Sequence, residues 1–179
     1  MTPPAAVLDH LGSALGRLRG RPGEPRWSPR PAQHLTLAFF GDVPDPRAAP
    51  LTEALRLVPG GPSVHLRLSG AGTFPGHGPP RVLWVGVDGD LDALAALAGR
   101  AATAGASAGV EPRNEGRPYR PHLTVGRWPA AGPADRRLAG LLDGYAGPHF
   151  VVDEWELVRS HPGPSPRYET LARWPLAAA

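Results

Sequence analysis

His122-Leu123-Thr124-Val125-Gly126-Arg127 decides how this chain is read, because its first three residues restate the opening of His34-Leu35-Thr36-Leu37-Ala38-Phe39-Phe40-Gly41 in the other half of the sequence. In the earlier stretch Leu35, Leu37 and Phe39 alternate with His34, Thr36 and Ala38; in the later one Leu123 and Val125 alternate with His122 and Thr124. A two-residue period is that of a strand whose two faces differ. Each histidine therefore shares a face with the threonine two positions on, and each leucine points away from both. One His-x-Thr carries no weight, since patterns this short arise by chance. Two copies, each behind a Pro-containing loop and each followed by glycine within a few residues, predict a pair of related strands.

The rest of the chain alternates between helical and strand patterns. Val7, Leu8, Leu11, Leu15 and Leu18 follow Pro3-Pro4 at helical spacing, predicting an amphipathic helix over 5–18, and the Pro/Gly/Arg-rich stretch 19–31 predicts a loop. Leu51, Ala54, Leu55 and Val58 predict a helix stopped by Pro59-Gly60-Gly61. Val64, Leu66 and Leu68 predict a strand, 70–80 a loop, and the apolar run 81–87 a buried strand. Leu91, Leu94, Ala95, Ala98, Ala101 and Ala102 form a helical stripe, and Leu138, Leu141 and Leu142 suggest a short helix before Gly144. Two further strands are expected at 150–158 and 168–174. Strands interleaved with helices fit an α/β or α+β body, and the recurring motif suggests two pseudo-duplicated lobes.

Composition narrows the chemistry. A chain of 179 residues suits one domain, and no apolar run reaches the roughly 18 to 20 residues of a membrane-spanning helix. The first residues show no secretory signal, so the cytoplasm is the expected compartment. Cysteine is absent, which removes disulfides, thiolate metal ligands and a cysteine nucleophile. All 19 basic residues are arginine, and the formal net charge is only +3. Such a balance is compatible with a polyanionic partner without requiring one.

Two histidines and two threonines on facing strands suit phosphodiester hydrolysis. That reaction needs a base to take a proton from water, an acid to protonate the departing oxygen on the far side, and donors to steady the phosphoryl oxygens. Histidine serves as acid or base near neutral pH. A hydroxyl two residues along a strand lies about 6.5–7 Å away on the same face, within reach of the same phosphate.

These stretches, together with Pro79-Pro80-Arg81-Val82-Leu83-Trp84-Val85-Gly86, Arg120-Pro121 ahead of the second motif, and Arg167-Tyr168-Glu169-Thr170-Leu171-Ala172-Arg173-Trp174-Pro175-Leu176, resemble the two-histidine (2H) phosphoesterase superfamily. Within it they are most similar to the RNA 2′,3′-cyclic phosphodiesterases, also called 2′-5′ RNA ligases, along nearly the whole chain. The resemblance implies an α+β fold of two pseudo-symmetric lobes, each an antiparallel sheet with flanking helices, facing across a central cleft. It implies a hydrolase that opens RNA 2′,3′-cyclic phosphate ends to a terminal 2′-phosphate, with no cofactor and no metal. His34 would then be the proton donor and His122 the base, with Thr36 and Thr124 holding the phosphate and Arg127 touching it. Phe40, Tyr119 and Tyr168 are the candidates for a nucleobase contact. The expected partner is an RNA or oligonucleotide 3′ end, and the expected state a monomer without a membrane association.

One departure stands out. Members of the family open with a short apolar strand before the first helix, whereas Met1-Thr2-Pro3-Pro4 leads directly into a helical pattern. An exposed edge or a substitute pairing is expected there. Alternatives remain open: a non-catalytic RNA-binding or RNA-repair accessory module, or an enzyme of the same superfamily acting on 2′-5′ linked oligonucleotides or another small cyclic phosphate. Gly105-Ala106-Ser107-Ala108-Gly109 matches the Gly-x-Ser-x-Gly pattern of serine hydrolases, but a helical pattern enters it where a strand is needed. His10, His65, His77, His149 and His161 lack metal-ligand spacing, and Trp84, Trp128, Trp155 and Trp174 are assigned to core packing.

Overall fold

The computed structural model describes residues 1–113, 118–163 and 166–177. The elements are α1 (Ala5–Gly16), β1 (Arg26–Trp27), α2 (Asp45–Arg56), β2 (Val64–Phe74), β3 (Val82–Gly89), α3 (Leu91–Ser107), β4 (His122–Arg127), α4 (Arg137–Gly140), β5 (Ala146–Val152), β6 (Glu154–His161) and β7 (Arg167–Pro175). They make an α+β architecture with two unequal antiparallel sheets. The larger has the order β1-β4-β3-β2-β5, and the smaller is the hairpin β6-β7.

Alternation decides which face of the larger sheet is covered. Leu66, Leu68, Leu83, Val85, Leu123 and Val125 are all fully buried, and they join Leu11 and Leu15 of α1 and Leu94 and Leu97 of α3 in one core. A buried side chain of this size stabilises by roughly 1.5–3 kcal/mol relative to exposure. That asymmetry leaves the opposite face free for polar residues. Trp84, Gly86 and Asp88 of β3 lie on it, and β4 is paired so that Thr124 stands beside Trp84 and His122 beside Gly86.

Several expectations change. The stretch 33–40 is not a strand: only Leu35 pairs, through a single antiparallel bridge to Leu123 and a two-way exchange of backbone bonds with Met1. A strand exists only where a ladder partner lies alongside, and period-two patterning supplies faces but not partners. The strand at Val64 continues to Phe74 through what was expected to be loop, because Gly70 at φ 62° forms a bulge that keeps pairing with β3 alive. The apolar run 150–158 is divided at Asp153 between β5 of one sheet and β6 of the other. The loop at 19–31 contributes the short strand β1, which pairs with the far end of β4. Among the described residues no helix is long and apolar enough to cross a membrane.

Candidate active site

The bridge between Leu35 and Leu123 is antiparallel. With the two leucines opposed, Thr124 falls opposite His34 and His122 falls opposite Thr36, all four on the face away from the buried leucines. Directly opposed Cβ atoms on antiparallel strands lie about 4.5–5.5 Å apart and diagonal ones about 7–8 Å. The two histidines therefore occupy one diagonal of a small quadrilateral and the two threonines the other. The registers of β2, β3 and β4 widen this into rows on one face: Thr36, His122, Gly86 and Ser69 in one, and His34, Thr124, Trp84 and Gly72 in the next.

Each imidazole is held by a backbone carbonyl. His122 Nδ1 donates to the Arg120 carbonyl at 2.7 Å, and His34 Nδ1 donates to the Pro31 carbonyl at 3.4 Å. A carbonyl can only accept, so the proton sits on Nδ1 and leaves Nε2 as the reactive nitrogen of both rings. Burial holds the pKa of each below the ordinary histidine value. At His34 the neighbouring Met1 ammonium adds to that lowering, partly offset by the Pro31 bond and Glu156. At His122 the Arg120 carbonyl bond opposes it, while the Arg120 and Arg127 guanidiniums reinforce it.

Aromatic rings wall the site. Tyr168 on β7 meets His34 edge-on at 5.5 Å between centroids, and Phe74 on β2 meets His122 edge-on at 5.0 Å. Trp84 stands 6.3 Å from His122, and the Arg120 guanidinium stacks 4.4 Å above the Trp84 ring. The indole lies where any side chain on Gly72 would have to be, so that glycine lets the ring settle flat on β2.

The expected site residues divide accordingly. His34, His122, Thr36, Thr124 and Tyr168 come together. Arg127 joins them through a bulge in β4. Strict alternation from His122 would turn it to the buried face, but the register shift between Leu83 and Trp84 places it opposite Val82, on the same face as Trp84. Phe40 is spent elsewhere: its ring packs on Gly105 of α3, because that helix has no side chain there to fill the space. Tyr119 is half-buried against the core with its hydroxyl enclosed, unpartnered among the described residues, and burial raises its pKa. Ser107 ends α3 with its hydroxyl bound to the Ala104 carbonyl, in no strand-to-helix turn.

Arg120 and Phe74 were not expected at the site, and Trp84, expected to pack in the core, is buried yet borders His122. Arg120 stands two positions before a motif histidine, and Trp84 in a strand paired to it; only the register turns those positions into contacts. Two hollows lie elsewhere, one beside Arg21 and Asp135 and one between α2 and α3. Among the described residues no three metal-ligating side chains converge.

A family model described as the 2′-5′ RNA ligase superfamily matches residues 7–164. A curated relative from Geobacillus stearothermophilus, named RNA 2′,3′-cyclic phosphodiesterase, is 36% identical over 155 residues, covering 86% of this chain and 48% of that protein. The match thus spans about half the length of that relative. A protein of the same name from Aquifex aeolicus is 31% identical over 131 residues, covering 72% of this chain and 68% of its own. Among solved structures, E. coli LigT complexed with 3′-AMP is similar at a TM-score of 0.75 and 25% identity, over 98% of this chain and 94% of that one.

Proposed function

The chain belongs to the 2′-5′ RNA ligase superfamily, and on that premise we propose that it hydrolyses the 2′,3′-cyclic phosphate at an RNA or oligonucleotide end to a terminal 2′-phosphate, using its two histidines and no metal. The observation that carries this reading is the antiparallel register of Leu35 and Leu123, which sets two imidazoles diagonally across a space of phosphate size with a threonine beside each.

Nε2 of His122 takes a proton from a water molecule as its oxygen attacks phosphorus. The bond from phosphorus to the ribose 3′-oxygen breaks on the opposite side, and Nε2 of His34, entering protonated, delivers its proton to that oxygen. One water is consumed, and the products are a 3′-hydroxyl and a 2′-phosphomonoester. Thr36 and Thr124 donate to the non-bridging oxygens, and Arg127 offsets their growing charge. Tyr168 lies beside His34, on the leaving-group side, where the terminal base of the substrate can meet its ring. The family name of the relatives from Geobacillus and Aquifex supports the substrate class.

The test is turnover of an oligonucleotide ending in a 2′,3′-cyclic phosphate, in excess chelator. His34→Ala and His122→Ala should each lower kcat by about 10²–10⁴-fold, the range for loss of a positioned acid or base. Unchanged turnover in either variant overturns the assignment, and loss of wild-type activity on chelation overturns metal independence.

A further inference from the structure

β1 is a strand of two residues, and its register is set tightly. Arg26 pairs with Arg127 and Trp27 with Gly126, so two arginines stand directly opposite one another. A side chain on Gly126 would meet the Pro25 ring at 2.6 Å, which means that only glycine there lets β1 close onto β4. The Trp27 indole N–H donates to Glu24 at 2.7 Å, and the Ser28 amide donates to the Val125 carbonyl at 2.9 Å, fixing the backbone on either side of the pair.

Directly opposed residues share a face. Since the bulge in β4 turns Arg127 to the face of the histidines, Arg26 is on that face too, while Gly126 is buried beneath. Arg26 also lies on the same edge of β4 as His34, because both β1 and Leu35 pair there. Both arginines are exposed, and among the described residues neither guanidinium has a carboxylate or hydrogen-bond partner. Like charges opposed across two strands repel, and an anion lodged between them converts that repulsion into attraction. The backbone is held for this pairing from both sides, and among the described residues no carboxylate stands against it.

We propose that Arg26 forms a second phosphate subsite, set beside the Arg127 that serves the reacting phosphate and able to share its outward-facing N–H groups, one that takes the phosphodiester on the 5′ side of the terminal nucleoside. This rests on the assignment of His34 to the leaving 3′-oxygen: the ribose then lies on the His34 edge of β4, and its 5′-phosphate points along that edge toward Arg26. The subsite distinguishes a chain end from a free nucleoside cyclic phosphate, so it makes the protein selective for oligonucleotides.

The smallest probe pair that isolates the subsite is adenosine 2′,3′-cyclic phosphate with and without a 5′-phosphate. Wild-type kcat/KM should be about three- to tenfold higher with the 5′-phosphate, the value of one charge-assisted contact. In Arg26→Ala, and more strongly in Arg26→Glu, that ratio should fall to one or below, with circular dichroism unchanged because Arg26 is exposed. The salt dependence of kcat/KM for the 5′-phosphorylated probe should also flatten by about 0.7 in log–log slope. A wild-type ratio of one overturns the subsite, as does a ratio that survives in both variants. Absence of hydrolysis with either probe and with an oligonucleotide would overturn the proposed function instead.

Discussion

The same tripeptide, His-Leu-Thr, occurs twice in this chain and is built in two different ways. His122-Leu123-Thr124 lies in β4, inside a five-stranded sheet, with β3 on one edge and β1 and Leu35 on the other. His34-Leu35-Thr36 has one bridge and belongs to no strand. Both leucines are nonetheless buried, Leu123 at 0% and Leu35 at 1% exposure. The difference teaches that the site needs less regularity than the sequence suggests. One anchored leucine and one backbone bridge suffice to set a histidine against a threonine, while the second copy, locked in the sheet, provides the fixed half of the pair.

The largest expected consequence concerns the threonines. Thr124 lies in β4 paired with Trp84 of β3, and Thr36 is exposed on an irregular segment, so Thr124 is the better preorganised donor. Thr124→Ala should lower kcat/KM by about 10²-fold, the lower end for loss of a transition-state donor, and Thr36→Ala by roughly tenfold. Steady-state kinetics on a cyclic-phosphate oligonucleotide checks this, and an equal or reversed order breaks the distinction.

The next consequence is confined to the rigid half. Arg120 supplies the carbonyl that orients His122 and is itself tied down by its stacking on Trp84. Arg120→Ala should reduce kcat about tenfold through misplacement of the imidazole, with partial recovery in Arg120→Lys. Removal of the nearby cation should also raise the pKa of His122, moving the acid-side limb of the kcat/KM profile to higher pH while the alkaline limb stays. Movement of both limbs together would assign Arg120 a broader role.

The smallest effect is in the wild-type pH profile. His34 must be protonated, so activity falls as pH rises through its pKa; His122 must be neutral, so activity falls as pH drops through its own. Burial lowers both, and the maximum of kcat/KM should therefore lie on the acid side of 6.5, the limbs reporting the pair rather than either ring alone. A maximum above about 7.5 would contradict the burial of the two rings.

What the sequence disclosed, and what it withheld, follows the same division. Alternation in 122–125 identified a strand and its faces correctly, because that stretch does lie in a ladder. The identical alternation in 33–40 gave the faces only as far as Leu37, because Phe39 is exposed while Ala38 and Phe40 pack on the core; it also missed the state, since pairing depends on which backbone arrives alongside. The helices at Ala5–Gly16, Asp45–Arg56 and Leu91–Ser107 were readable from apolar spacing. The division of 150–158 at Asp153 was not, because a strand that changes sheets keeps its composition. His34, Thr36, His122 and Thr124 were recognisable as chemistry placed twice on a common face. Arg127 gains its position only from a bulge, Phe40 loses its expected role to the space above Gly105, and Trp84 acts on His122 only through the register of β3 with β4.

The central claim is that these two unequal halves open a cyclic phosphate in one direction, with the 3′-oxygen leaving on the His34 side. Identification of the product formed from an oligonucleotide 2′,3′-cyclic phosphate in excess chelator, by phosphorus NMR, tests it most directly. The account predicts a single new resonance assigned to the 2′-phosphomonoester, formed by the wild type and lost in His34→Ala and His122→Ala; recovery of the cyclic phosphate intact, or formation of the 3′-phosphate, would contradict it.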